Sequence, residues 1–213
     1  MNFKKNRLIL IATCALWLLM VGTGIGVLRN YENAPGLSAA APGSWPAGSP
    51  LERAAGSATL VMLAHPHCPC TRASIGELAR LMAQAEGHVR AYVLFVKPTG
   101  FSEEWVQTDL PASASAIPGV SVVRDDEGVE AKRFHAATSG QTLLYDTKGN
   151  LLFSGGITSA RGHAGDNAGR TAIVSLLTTN EVAQNETPVF GCPLFARTEC
   201  PVGKEGLHEK DNH

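Results

Sequence analysis

The chain has 213 residues, a formal net charge of −1 at pH 7 and 44% hydrophobic residues. This balanced charge, without a basic stripe, argues against nucleic acid as a partner. The length allows one domain of ordinary size together with non-globular segments at its ends.

The N-terminus combines basic residues with a long apolar run. Lys4, Lys5 and Arg7 precede an uncharged stretch at residues 8–28. At about 1.5 Å per residue, a helix of this length matches a hydrocarbon core about 30 Å thick. Basic residues ahead of such a helix favour a cytoplasmic segment, here residues 1–7, with the rest exported. We therefore predict a single-pass anchor in a bacterial inner membrane and a soluble part in the periplasm. Cleavage of the run as a signal peptide stays open.

The composition changes again beyond this run. Residues 29–56 are rich in Ala, Pro, Gly and Ser without apolar periodicity, which predicts a flexible linker. Residues 57–195 have the length and patterning of one domain. Residues 196–213 are predicted to form a polar, disordered tail.

Hydrophobic periodicity predicts an alternation of strands and helices within the domain. In chain order these are a strand at 58–64, a helix at 71–86, a strand at 88–96, an irregular connection at 98–119 with a brief helix at 103–107, an edge strand at 120–124, a helix at 127–135 capped by Asp125 or Asp126, a hairpin of strands 142–146 and 151–154, and a helix at 167–178 capped by Asp166 or Asn167. This order predicts a mixed sheet with helices packed on it.

The most informative segment reads His-Pro-His-Cys-Pro-Cys-Thr-Arg at residues 65–72, between the first strand and the following helix. With Cys68 at the N-cap, Pro69 falls at the first helical position, where a missing N–H costs nothing. A thiol at a helix N-terminus meets unpaired amides and the positive end of the helix dipole, and both favour the thiolate. We therefore expect Cys68 to be an exposed, reactive sulfur.

The element order resembles that of the thioredoxin-like superfamily. The strand, cysteine-containing turn and long helix correspond to Ala58–Glu86. The segment Val122–Ala131 looks like the strand–turn–helix of the membrane-tethered TlpA and peroxiredoxin-like branches, and Leu143–Gly156 looks like the terminal hairpin. The resemblance implies an α/β three-layer sandwich with helices on both faces of a mixed sheet, and thiol–disulfide chemistry. In that arrangement the loop at 161–167 is not adjacent to the active turn.

A closer resemblance is to the bacterial RedB group. It is carried by residues 65–74, 155–158, 161–167 and 189–194.

Two positions depart from the thioredoxin pattern. The family separates its two active cysteines by two residues, whereas one residue separates Cys68 from Cys70, and Thr71 falls where a second cysteine would stand. The family also has a cis-proline before its third core strand, which faces the active cysteine and aids strand-like pairing with a peptide. Gln141 takes that position here, so the resemblance implies Gln141 as the substrate-docking position.

The redox hypothesis assigns Cys68 as the attacking thiolate and Cys70 as its resolving partner. Their disulfide closes a small, strained ring, and strained disulfides are more oxidising. His65 and His67 are candidates to stabilise the thiolate or to shuttle a proton. No organic cofactor is required, and the partner would be an exported thiol protein or a cysteine-containing client. Trp105, in the long connection, is a candidate cover or partner-binding residue.

Two other hypotheses stay open. His65, His67, Cys68 and Cys70 form a donor set that suits copper or zinc. Alternatively, the domain is a non-catalytic, thioredoxin-like interaction domain that disulfides only stabilise. For Cys192 and Cys200, a structural disulfide is the favoured interpretation in an oxidising compartment. Either of these two cysteines would instead act as a resolving thiol if the C-terminal segment returned to the turn.

Overall fold

The computed structural model describes residues 3–37, 39–179, 181 and 184–195. Its elements are α1 (Phe3–Glu32), β1 (Ala58–Ala64), α2 (Pro69–Gln84), β2 (Val89–Lys97), a 3₁₀ helix (Glu103–Val106), α3 (Asp109–Ser115), β3 (Val120–Asp126), α4 (Val129–Arg133), β4 (Gln141–Tyr145), β5 (Leu151–Gly155) and α5 (Ala168–Thr178).

The strands form one mixed sheet in the order β3-β2-β1-β4-β5. β1 pairs in parallel with β2, β2 pairs in parallel with β3, and β4 is antiparallel to both β1 and β5. All residues of the central strand β1 are buried, and β3 lies at an edge, as predicted. The C-terminal end of β1 therefore delivers the cysteine turn to the middle of the sheet.

Alternating side chains of β1 feed two separate cores. Leu60 packs with Leu78 of α2 and Ile173 of α5 on one face of the sheet. Val61 points to the other face, where it packs with Phe134 beyond α4. Full burial of an aliphatic side chain of this size contributes about 1.5–3 kcal/mol. The predicted α/β three-layer sandwich, with a mixed sheet and helices on both of its faces, is thereby confirmed.

The N-terminal helix α1 extends past the predicted run at residues 8–28. Asn6–Glu32 is long and apolar enough to cross a membrane, and it lies near the N-terminus, where a signal sequence meets the same description. None of its most apolar part is buried against the rest of the protein.

The segment predicted as a flexible linker, residues 29–56, packs along the domain instead. The ring of Trp45 lies 5.2 Å from the rings of both Phe134 and Tyr145, measured between centroids. Leu51 is buried in the same core. The prediction of a free tether is therefore wrong for this part, because single apolar residues anchor a stretch whose average composition is polar and small.

A short helix also replaces part of the predicted irregular connection at 98–119. α3 carries Leu110 and Ala114, four residues apart, and both are buried against α2 and the sheet. Pro111 falls within its first turn, where a missing N–H breaks no helical hydrogen bond. Pro111 therefore marks the start of a helix here and not an irregular connection.

Candidate functional site

The cysteine turn has the predicted position at the start of α2. Cys68 is the N-cap, with φ −86° and ψ 119°, and Pro69 follows at the first helical position. Cys70 lies one residue further into the first turn. Both sulfurs are therefore close to the positive end of a 16-residue helix.

The expectation of an exposed sulfur is wrong. Cys68 is 1% exposed and Cys70 is 7% exposed. The chain itself covers the turn from two sides. One cover is residues 184–195, here called the strap, and the other is an aromatic cluster formed by His65, His67, Phe101 and Trp105.

Cys192, in the strap, lies against Cys68. A hydrogen bond from the Cys192 side chain is the largest cause that lowers the pKa of Cys68, followed by one from the Cys70 side chain. Burial acts in the opposite direction but is outweighed. The backbone amides of Cys192 and Thr71 lower the pKa further, although the Thr71 amide does not reach the geometry of a full capping bond. Cys68 is therefore held as a thiolate.

The pKa of Cys70 is shifted in the opposite direction, upwards. Its hydrogen bond to Cys68 is the largest cause that raises the pKa of Cys70, and burial and the Cys68 charge act in the same direction. Arg161 and the backbone of Gly162 lower this pKa but do not prevail. The pair therefore consists of one thiolate, Cys68, and one protonated donor, Cys70.

Strand-like pairing holds the strap beside the turn. The amide of Ser139 donates to the carbonyl of Cys192 over 2.8 Å, and the amide of Leu194 donates to the carbonyl of Ala137 over 2.9 Å. Thr138 and Pro193 form an antiparallel bridge between these bonds. An extended segment with a cysteine thus lies along the loop that precedes β4.

Gly191 fits this arrangement closely. A Cβ at this position would overlap the carbonyl oxygen of Ser139. The guanidinium of Arg161 donates to the carbonyl of Gly191 over 2.7 Å and, through Nε, to the carbonyl of Ala34 over 3.1 Å. The amide of Arg161 also donates to the carbonyl of Glu32 over 3.0 Å. Arg161 therefore ties the strap to the end of α1 beside Cys70.

The position of Arg161 corrects the expectation that the loop at 161–167 lies away from the active turn. The sequence of residues 161–167 distinguishes this loop but does not specify where the loop packs. His163 lies 3.6 Å from the carboxylate of Glu32, and not at the thiols. Asn167 caps α5 as predicted, because its side chain accepts from the amide of Arg170 over 2.8 Å.

A buried ion pair fixes this loop to α2. The carboxylate of Glu77 accepts from the guanidinium of Arg170 over 2.7 Å and from the amide of Gly165 over 2.7 Å. It also accepts from the side-chain amide of Asn167 over 3.2 Å. The helix that carries the thiols and the loop that carries Arg161 are therefore locked together.

His65 is buried next to the thiolate. Burial is the largest cause that lowers its pKa, His67 adds to this effect, and the charge of Cys68 opposes it. Its Nδ1 lies 3.2 Å from the amide nitrogen of His67 and accepts that hydrogen bond. His65 is therefore neutral, with Nε2 left to carry the ring proton.

His67 lies at the surface of the aromatic cluster. Its Nε2 is 2.8 Å from the carbonyl oxygen of Trp105, and the two rings are in contact with centroids 4.2 Å apart and planes tilted by 42°. The ring of Phe101 also contacts the ring of Trp105, with centroids 4.2 Å apart and the planes tilted by 48°. The long connection therefore lies against the cysteine turn, where Trp105 was predicted as a candidate cover.

Thr71, which stands where the thioredoxin pattern has its second cysteine, is held by buried hydrogen bonds. Its hydroxyl donates to the carbonyl of His65 over 3.1 Å and lies 2.8 Å from the hydroxyl of Ser139. The Ser139 hydroxyl accepts from the amide of His65 over 2.9 Å. This buried polar network joins the turn to the loop that pairs with the strap.

Gln141 begins β4 and is buried. Its side-chain oxygen accepts from the amide of Ala137 over 3.2 Å. The described residues contain no cis peptide bond. Gln141 thus supports the loop at 137–141, and its role in substrate docking stays a prediction.

Within the described residues, no group of three or more His, Cys, Asp or Glu side chains is arranged to hold a metal ion. Copper or zinc binding by His65, His67, Cys68 and Cys70 stays a prediction. Cys200 and the polar tail at 196–213 lie outside the described residues, and so does the predicted Cys192–Cys200 disulfide.

The sequence matches no protein-family model and no curated protein. Its fold is similar to that of an uncharacterized conserved protein from Geobacillus kaustophilus, with TM-score 0.57 and 17% identity over 78% of this chain and 94% of that one. A hypothetical protein from Sinorhizobium meliloti 1021 has TM-score 0.57 and 21% identity over 78% of this chain and 96% of that one. A secreted disulfide oxidoreductase of Mycobacterium tuberculosis aligns with TM-score 0.41 and 12% identity over 59% of this chain and 83% of that one.

Proposed function

We propose that this chain is a membrane-anchored, periplasmic thiol–disulfide oxidoreductase in which Cys68 attacks and Cys70 resolves. One observation carries the proposal, namely the sulfur of Cys68 at the N-cap of α2 with two neighbouring thiols donating to it. Hydrogen bonds to the charged form of a thiol stabilise the nucleophilic species. The RedB resemblance and an anchoring role for α1 belong to this proposal.

The reaction begins when the Cys68 thiolate attacks a disulfide of an exported thiol protein or other cysteine-containing client. The client S–S bond breaks, one client sulfur leaves as a thiolate, and a mixed disulfide joins Cys68 to the other. Cys70 then attacks the sulfur of Cys68, which releases the second client sulfur as a thiolate. The client gains two electrons and the Cys68–Cys70 pair loses two.

The two pKa shifts suit this sequence of steps. The largest cause that raises the pKa of Cys70 is its hydrogen bond to the Cys68 thiolate. That thiolate no longer exists in the mixed disulfide, so the pKa of Cys70 falls at the moment when Cys70 must act as a nucleophile. Arg161, whose charge lowers the same pKa, then acts unopposed by Cys68. The Cys70 proton passes to water once the site opens, because Nδ1 of the neutral His65 already accepts the amide hydrogen of His67.

The site is closed in this conformation, because Cys68 is 1% exposed. A client therefore reaches the sulfur only after the strap or the aromatic cluster moves. Trp105 is held over the turn by ring contacts with His65 and His67 and by one hydrogen bond to His67, whereas several backbone hydrogen bonds hold the strap. The aromatic cluster is accordingly the side that opens with less loss of contacts.

The test uses the full chain in detergent, incubated with oxidised glutathione and mapped by mass spectrometry. We expect an intramolecular disulfide in the wild type and none at the site in Cys68→Ser. Cys14→Ser, which removes a thiol of α1 outside the site, is the matched control and should behave as the wild type. The proposal would be refuted if Cys68 of the wild type formed neither a glutathione adduct nor a disulfide. One-to-one copper binding, lost in Cys68→Ser/Cys70→Ser, would favour the metal hypothesis instead.

A further inference from the structure

We propose that Cys192 is a second resolving thiol for Cys68, so that the site works with three cysteines rather than two. This inference rests on the proposed function, and it assigns the strap a part in the reaction. The relationship that carries it is the contact between the side chains of Cys192 and Cys68, made by two segments that are far apart in the sequence.

The two candidate partners of Cys68 differ in the ring they close. Cys70 follows Cys68 by two residues, and its side chain donates to Cys68, so a bond between these two sulfurs closes a very small ring. A disulfide needs a defined Cβ–S–S–Cβ dihedral angle and a short Cα separation, and a small ring within one turn meets both only with strain. Cys192 approaches from the strap, and its bond to Cys68 closes a long loop without that constraint.

Backbone contacts of the strap fix the position of Cys192 beside Cys68. Backbone hydrogen bonds on both sides of Pro193 align the strap with residues 137–139. Gly191 is required for the close approach, because a Cβ there would overlap the Ser139 carbonyl oxygen. Arg161 adds a third constraint by its bond to the Gly191 carbonyl. The residues on both sides of Cys192 are therefore fixed, and its sulfur is held at Cys68.

The step balances in atoms and electrons. In the mixed disulfide between Cys68 and the client, Cys192 loses its proton to water in the opened site, and its thiolate attacks the Cys68 sulfur. The Cys68–Cys192 bond forms, the Cys68–client bond breaks, and the client sulfur leaves as a thiolate that takes up a proton. The client disulfide is the oxidant, and the protein again loses two electrons.

The test compares single and double cysteine variants of the full chain in detergent after incubation with oxidised glutathione. We expect Cys70→Ser to form a Cys68–Cys192 disulfide and to release its glutathione. Cys70→Ser/Cys192→Ser should retain glutathione on Cys68. Peptide mapping identifies each species. If Cys70→Ser alone retained glutathione on Cys68 as fully as the double variant does, the inference would be refuted.

A glycine variant tests the same point without removing a thiol. Gly191→Ala displaces the strap and, in the Cys70→Ser background, should slow formation of the Cys68–Cys192 disulfide at least tenfold. Gly43→Ala adds a methyl group in open space and is the matched control. An unchanged rate in Gly191→Ala, or a Cys192–Cys200 disulfide as the product in Cys70→Ser, would also refute the inference. A Cys68–Cys70 disulfide in the wild type would leave the proposed function intact, whereas an unreactive Cys68 would defeat both.

Discussion

The hydroxyl of Thr71 lies 2.8 Å from the hydroxyl of Ser139. This contact joins the first turn of α2 to the loop along which the strap pairs. The position that holds a second cysteine in the thioredoxin pattern is therefore used here to connect the two halves of the site.

Replacing Thr71 by valine keeps the shape of the side chain and removes this connection. The Ser139 hydroxyl and the carbonyl of His65 each lose a buried partner, at a cost of about 1–3 kcal/mol in the free energy of unfolding. Urea unfolding of the full chain in detergent measures the change. Thr178→Val removes an exposed hydroxyl of α5 as a control, and a loss in Thr71→Val no larger than in this control would contradict the prediction.

Glu77 is the buried carboxylate that locks α2 to the loop at 161–167. Glu77→Ala removes the buried partner of the Arg170 guanidinium, whose side chain is 10% exposed, and leaves it only the solvent-exposed carboxylate of Asp166. Removal of one partner from a buried ion pair typically costs about 3–5 kcal/mol. Glu86→Ala, at an exposed position after α2, should change the free energy of unfolding by less than about 0.5 kcal/mol. Equal effects of the two substitutions would be inconsistent with this account.

The thiol pair predicts a maximum in stability at mildly alkaline pH. The pKa of Cys68 is lowered in the folded state, so the unfolded chain binds more protons and stability rises with pH up to the ordinary thiol pKa of about 8.5. The pKa of Cys70 is raised, so above that pH the folded state retains a proton and stability falls again.

The measurement is the difference in unfolding free energy between the wild type and Cys68→Ser/Cys70→Ser from about pH 7 to about pH 10. Plotted against pH, this difference should rise below the ordinary thiol pKa and fall above it, with each slope approaching about 1.4 kcal/mol per pH unit. A difference that does not vary with pH would show that neither thiol is shifted.

Trp105 controls access to Cys68 in this account. Trp105→Ala removes its ring contacts with His67 and Phe101, and contacts of this kind contribute about 0.5–1.5 kcal/mol each. The two contacts together amount to about 1–3 kcal/mol, so alkylation of Cys68 by iodoacetamide should accelerate about fivefold to 150-fold. Trp17→Ala in α1 is the control, and an unchanged rate in Trp105→Ala would place the entrance under the strap instead.

The cysteine turn was predictable because its determinants are local. The apolar run at 58–64, the N-cap Cys68 and the proline after it specify a strand, a turn and a helix within a short window, and the structure has all three. Asn167 was predictable for the same reason, since a cap depends only on the residues that follow it.

The cover over the turn was not predictable from local patterns. The strap has no apolar periodicity, and its pairing with residues 137–139 uses backbone groups that every residue possesses. Its position depends on Gly191 and Arg161, whose roles emerge only when distant segments meet. For this reason the sequence suggested Cys192 as a thiol that returns to the turn but did not determine it.

Arg161 also fixes the position of the thiols relative to the end of α1. Its backbone and side chain bind the carbonyls of Glu32 and Ala34 at the end of α1, and its guanidinium lies over the ring of Tyr31 at 5.2 Å. If α1 anchors the chain in a membrane, these contacts hold the cysteine turn close to the bilayer surface instead of leaving it on a flexible tether. Client proteins that are embedded in the same membrane, or bound to its surface, would then have the shortest path to Cys68.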